Sequence, residues 1–185
     1  MNRRELIALA GLLGAGKLAP EPLLAWAGAQ RATAETELRA FDEGQYRVFD
    51  ALSELILPAT DTPGARAAGV ASFADRFLAE WFPAKARDSF LAGLDGFEAH
   101  CVETQSAGFA DCDVASQTAV AEWSQEQAIA QRKGFSSNPR RIGDAEFFDV
   151  AKWLTLFGYY TSEVGMREEL SWRAVPGRWD GCRDV

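Results

Sequence analysis

The chain has 185 residues, 48% of them apolar and including twelve Phe and six Trp, enough for one domain with a real core and too apolar for wholesale disorder. Its formal net charge is −8 at pH 7, and removing residues 1–29, with Arg3, Arg4 and Lys17 against Glu5 and Glu21, leaves −9. An acidic body lacks the basic face that phosphates need, which excludes nucleic acid as a partner; solubility is the plain reason for such a charge.

The first predicted element is an export signal over residues 1–29. Arg3 and Arg4 make a paired-arginine start, Leu6–Gly16 is a short Gly-rich apolar run, and Ala27-Gly28-Ala29 offers a small-residue cleavage site. The pattern resembles a twin-arginine signal, with Leu6 at the apolar position two beyond the pair. Asn2 and Ala8 depart from it, and Lys17, Pro20, Glu21 and Pro22 interrupt the stretch before the cleavage site. An ordinary N-terminal helix or a Sec signal is the alternative. The apolar run is too short for a bilayer, which takes ~20 residues, and no later segment comes close, so the mature chain is expected not to cross a membrane. Gly11-Leu12-Leu13-Gly14-Ala15-Gly16-Lys17 imitates a phosphate-binding loop, but Leu18 stands where Ser or Thr must hold magnesium and no strand pattern precedes it. Nucleotide binding there is rejected.

Helical periodicity runs through the body, residues 30–185. Tyr46, Phe49, Leu52 and Ile56 share one face of a first helix, which Pro58 ends, and Asp61-Thr62-Pro63-Gly64 reads as a turn. Val70, Phe73, Phe77 and Trp81 mark a second helix closing near Pro83, and Phe90, Leu94, Phe97 and Cys101 a third, weakened by Gly93 and Gly96. A loop around Gly108 leads to a fourth, about 114–132, with Val120 and Trp123. Residues 133–143 are polar and read as a loop. Asp144 then looks like the N-cap of a fifth helix bearing Phe147, Val150, Leu154 and Phe157, with Gly158 as its stop. Ser162 caps a last short helix ending near Leu170. No stretch alternates with a two-residue period, so the expected fold is all-α: one helical domain with a non-regular C-terminal tail.

No catalytic constellation is legible. The single histidine, His100, reads as a surface or partly buried helix residue, because a metal site or a Ser-His-Asp triad needs several convergent groups. Glu168 and Glu169 diverge by about 100° as helix neighbours. Tyr159 and Tyr160 read as core or near-core residues. Neither CxxC nor CxxCH occurs, and no Gly-rich dinucleotide fingerprint follows a strand. Hence no catalytic, metal or cofactor-binding residue is assigned in this chain. A stand-alone enzyme with an unrecognised site, or a sugar-binding module, remains the alternative.

Three segments carry a family resemblance: LSELILPATDTPGARAAGVASFADRFL, residues 52–78; FFDVAKWLTLFGYYTSEVGM, residues 147–166; and the ending from Val175-Pro176-Gly177 to Gly181-Cys182. In order and spacing they resemble the gluconate 2-dehydrogenase subunit 3 family, small subunits of flavin-dependent sugar dehydrogenases that include glucose and glucoside 3-dehydrogenase types. The resemblance implies a periplasmic complex: a large FAD-containing subunit of the glucose-methanol-choline oxidoreductase type, this small subunit, and often a cytochrome c. FAD would belong to the large subunit, which oxidises a sugar or sugar acid, while the small subunit supports its maturation, stability and export through the twin-arginine pathway. Any membrane association would come through the complex.

Export makes the three cysteines relevant, since the periplasm favours disulfides and three leave one over. Cys101 and Cys112, separated by ten residues in the chain, could close an intrachain bridge. Cys182 on the tail would then bond a cysteine of the catalytic subunit, the alternatives being a free thiol or another pairing in this chain. Trp172, Arg173, Arg178 and Trp179 are the expected partner contacts, Trp and Arg being frequent interface anchors. The alternative for Trp172 and Trp179 is that they fold back over the chain's own helices.

Overall fold

The computed structural model describes residues 38–131 and 145–172, and these carry five α-helices and two shorter helical turns, with no strand among the described residues. The helices are α1 (Glu43–Ile56), α2 (Val70–Glu80), α3 (Ala84–Gln105), α4 (Val114–Gln131) and α5 (Phe147–Thr161). A 3-10 turn, Phe109–Asp111, joins α3 to α4, and a π-helical turn, Gly165–Glu169, follows α5. The all-α expectation holds. The anticipated loop over 133–143, Asp144 and the tail from Arg173 onward fall outside the described residues.

Local chemistry sets the helix ends. Asp42 caps α1 through a reciprocal box: its carboxylate accepts the Gln45 N–H at 2.7 Å, and Gln45 Oε1 accepts the Asp42 N–H at 3.1 Å. Asp113 plays a similar part before α4, its Oδ1 accepting from Ser116 N at 2.8 Å, and this bond holds its carboxyl below the usual range. Ser162 does what its position suggested, with Oγ accepting the Gly165 N–H at 3.0 Å at the start of the π-helical turn. At α5 the N-cap position belongs to Glu146, whose side chain makes no cap bond, rather than to Asp144.

α5 is a central element, packing on α1, α2, α3 and α4, as α1 in turn packs on each of the other helices. Its inward residues Phe148, Val150, Ala151, Leu154 and Tyr159 join Phe49 and Leu52 of α1, Val70 and Leu78 of α2, and Phe90, Leu94 and Phe97 of α3 in one core. The third helix buries all four of its expected residues, Phe90, Leu94, Phe97 and Cys101. Gly93 has a packing reason beyond its helix cost: a Cβ there would stand 2.6 Å from Phe147 Cβ. Asp75 of α2 is a buried carboxylate, 3% exposed, and it ties the segment entering α1 by accepting the N–H groups of Arg39, Ala40 and Phe41.

Three expectations are corrected. Trp81 ends α2 as its C-cap, 74% exposed, because the buried face of that helix is set by Val70, Ala71, Ala74 and Leu78. Phe157 is 39% exposed: it meets Phe73 and Phe77 at the rim of the core, not its centre. Gly158 does not stop α5, which continues to Thr161; it is buried where a Cβ would lie 2.8 Å from Phe73 Cδ1. Close helix packing, not termination, explains that glycine.

The two roles predict opposite signs for one substitution. Gly158→Ala is expected to destabilise the protein by about 1–3 kcal/mol in urea unfolding, through overpacking against Phe73. A mere helix weakness would instead be relieved by alanine, by about 1 kcal/mol.

Candidate functional site

The fold brings two of the three marked sequence segments, 52–78 and 147–166, into direct contact. Between α1 and α2 the chain turns through Pro58 to Gly64, and Glu54 organises this turn from α1. Its carboxylate accepts from Ala59 N at 3.2 Å and from Arg66 N at 2.8 Å, while Arg66 Nε donates to Asp50 at 2.7 Å. That bond to Asp50 is the main reason the Arg66 guanidinium sits above its already high ordinary value. Thr60 donates to the Asp61 carboxyl at 2.9 Å and holds it below the usual carboxylate range. Gly64 is required by closeness: a Cβ would come 2.5 Å from Glu54 Oε1 and 2.6 Å from Ala59 N.

Onto this turn the end of α5 is fastened. Tyr159, buried, donates its hydroxyl proton to the Pro63 carbonyl at 2.8 Å, and Thr62 Oγ1 donates to Glu169 Oε2 at 2.9 Å. A cleft of about 180 Å³ remains along the seam, lined by Leu57, Pro58, Thr60, Thr62, Pro63, Tyr159, Tyr160 and Glu169. Two polar pairs close it across the seam, Thr62 with Glu169 and Tyr159 with the Pro63 carbonyl. The arrangement is chemically a joint: it fixes α5 against the first two helices and offers no paired base and nucleophile.

Glu168 and Glu169 are both exposed, and Glu169 has a bonding role through Thr62. His100 on α3 stacks on Trp123 of α4, with ring centroids 3.5 Å apart and planes 13° apart, so its aromatic face is occupied by a helix contact. Among the described residues no group of three or more His, Cys, Asp or Glu side chains converges as a metal site would require. No described helix is long and apolar enough to cross a membrane.

The match to known families agrees with this geometry. The model of the family described as gluconate 2-dehydrogenase subunit 3 matches residues 43–177, from the first residue of α1 through both halves of the joint. The chain belongs to the gluconate 2-dehydrogenase subunit 3 family. The matched span takes in Val175-Pro176-Gly177 and stops short of Gly181-Cys182. Neither a curated protein nor a solved structure gives a significant match. The family description is that of one subunit of a dehydrogenase, so the chain is an accessory subunit type within a multi-subunit complex.

A subunit is best examined for what it turns outward. Of the expected contact residues, Trp172 is described: it is 54% exposed, and its N–H is bonded to the Met166 carbonyl at 2.8 Å. Arg173, Arg178, Trp179 and Cys182 lie outside the described residues, as do Arg3 and Arg4. The surface that sequence reasoning missed is on α5. Leu156 (44% exposed) and Phe157 (39%) each lie three or four residues from Tyr160 (37%) and from the half-buried Trp153. Tyr160 therefore parts company with Tyr159: one faces outward and the other is core. Trp153 stacks on Phe157 at 5.0 Å, which gives this outer stripe a fixed shape. The available signal was that FFDVAKWLTLFGYY is apolar around nearly the whole helix, which a merely surface-lying helix is not.

Removing the Tyr159 hydroxyl with Tyr159→Phe is expected to cost about 1 kcal/mol in urea unfolding while leaving helicity by circular dichroism unchanged. Gly64→Ala should cost more, about 1–3 kcal/mol, since both neighbours of its Cβ are held by hydrogen bonds. A neutral result for both would show that the joint is not under tension.

Proposed function

We propose that this chain is the non-catalytic small subunit of a periplasmic flavin-dependent sugar or sugar-acid dehydrogenase, and that it supports the export, maturation and stability of the FAD-bearing catalytic subunit. The observation carrying this reading is family membership over residues 43–177, which covers the folded body. The joint of α5 and the 58–64 turn supports it, because the marked segments serve to build a rigid body rather than to assemble reacting groups. The Arg3-Arg4 sequence supports export by the twin-arginine pathway, which carries folded proteins and would let a flavoprotein without its own signal travel with this one.

The outer stripe of α5 is the surface this reading assigns to the catalytic subunit, together with Trp172 and the Arg173, Arg178 and Trp179 tail. Three large apolar side chains on adjacent turns of a rigid helix suit the buried centre of an interface. A cytochrome c would join through the catalytic subunit, and the sugar would be chosen in that subunit's pocket. Cys182 remains the proposed interchain cysteine.

The escort role is tested by deleting this gene in a strain that makes the flavin subunit. Exported, FAD-loaded partner is expected to fall at least tenfold; unchanged export and activity would end the proposal. The assigned surface is tested by Leu156→Glu, an exposed change expected to alter stability by less than about 0.5 kcal/mol. Co-purification of the flavin subunit should drop by about tenfold or more. Wild-type recovery with both Leu156→Glu and Tyr160→Ser would move the interface elsewhere.

A further inference from the structure

The end of α3 and the start of α4 hold a second chemical feature that the dehydrogenase role does not use. Cys101 is the last buried residue of α3, and Cys112 directly follows the 3-10 turn. Between them Ser106 takes a left-handed conformation (φ 57°) that reverses the chain and folds the second cysteine back onto the first. Their sulfurs lie 3.7 Å apart, and both also face the Ala107 carbonyl, at 3.6 and 3.8 Å.

We propose that Cys101 and Cys112 form an oxidisable dithiol site, a clasp that thiol–disulfide exchange closes on an already folded body. Neither partner has to be carried to the other. Phe109, fully buried, packs on Phe97 with ring centroids 4.8 Å apart. Its backbone is held on both sides, with Glu98 Oε2 accepting its N–H at 3.0 Å and Gln117 Nε2 donating to its carbonyl at 2.9 Å. Asp111 is paired with Arg47 of α1 at 2.7 Å. These contacts do not involve sulfur and set the spacing in the dithiol form. Bond formation then needs the sulfurs to approach by about 1.7 Å, to the ~2.05 Å of a disulfide.

The substrate class is a low-molecular-weight or protein disulfide, RSSR. Cys112 is half-buried and reachable, whereas Cys101 is fully buried and its thiol is pushed up to about 12, first by burial and then by the neighbouring Cys112. Cys112 therefore attacks first. It gives its proton to solvent, its sulfur bonds to one sulfur of RSSR, and the other leaves as a thiolate and takes up a proton. Cys101 sulfur then displaces the second RS⁻ from Cys112, and the Cys101 proton ends on that leaving thiol. Two cysteine thiols are oxidised and one disulfide is reduced to two thiols. Short distance compensates for the poor acidity of Cys101 in the second step. The inference rests on this geometry and on no assignment of compartment or partner.

The full chain is equilibrated with oxidised and reduced glutathione over a range of ratios, quenched with acid, alkylated and digested with a protease that cuts after glutamate. Glu103 lies between the two cysteines, so the bridge appears as two joined peptides that separate on reduction. The expected result is a Cys101–Cys112 link with Cys182 outside it, and reduction raising the unfolding equilibrium constant on the order of a hundredfold. Cys101→Ser should trap glutathione on Cys112, whereas Cys112→Ser should leave Cys101 unmodified in the native state. The double Ser variant should unfold at the same urea concentration with and without reductant. The proposal is overturned if both thiols stay alkylatable in fully oxidised glutathione, if either pairs with Cys182 in preference to the other, or if the double Ser variant responds to reductant as the unaltered chain does.

Discussion

Two helices, α1 and α5, must each touch all the others. α5 packs against α1, α2, α3 and α4, and so it needs apolar surface around most of its circumference. Glycines at its closest approaches meet this demand: Gly158 admits the Phe73 ring, and Gly93 of α3 admits Phe147. The Tyr159–Pro63 bond then fixes how far α5 slides along the first two helices. Once α5 is seated, the 58–64 turn, the core of α1 and α2 and the π-helical turn all have their positions defined relative to it.

A helix built this way has apolar side chains left over. The inward face of α5 is filled by Phe148, Ala151, Leu154 and Tyr159, while Leu156, Phe157 and Tyr160 continue the apolar surface outward. Stability of this chain alone does not call for three such residues in water. Under the proposed subunit role the outward stripe has a reason, because a subunit's surface is chosen for the assembly as well as for the monomer. The described residues spend their polar groups on caps and turn bonds. The acidic overall charge adds a general repulsion between separate copies.

Much of the body was legible from periodicity, since Phe49, Leu52, Val70, Phe90, Leu94, Phe97, Val150 and Leu154 are buried where their spacing put them. The misreadings have distinct physical sources. Trp81 continues the spacing of Val70, Phe73 and Phe77, but it sits at the helix end where the backbone turns away from the core. Gly158 looked like punctuation because a contact with Phe73, 85 residues earlier in sequence, leaves no local mark. Asp75 belongs to the same class: its three backbone partners lie more than thirty residues before it. The joint was visible only as two separate marked segments, and tertiary contact was needed to show that they are one structural unit. Trp172 alone among the anticipated contact residues falls within the described structure, so its exposure bears on the partner surface whereas the remaining tail residues bear on it through sequence alone.

The Asp75 latch also has a consequence for how such a chain can be altered. Three peptide N–H groups at 39–41 are tied to one carboxylate on α2, so the segment entering α1 has a fixed starting point. The entry to the first helix is thereby anchored from within the helical body itself. A sequence grafted ahead of residue 38 would join at backbone already held by α2, without renegotiating the packing of the helices behind it.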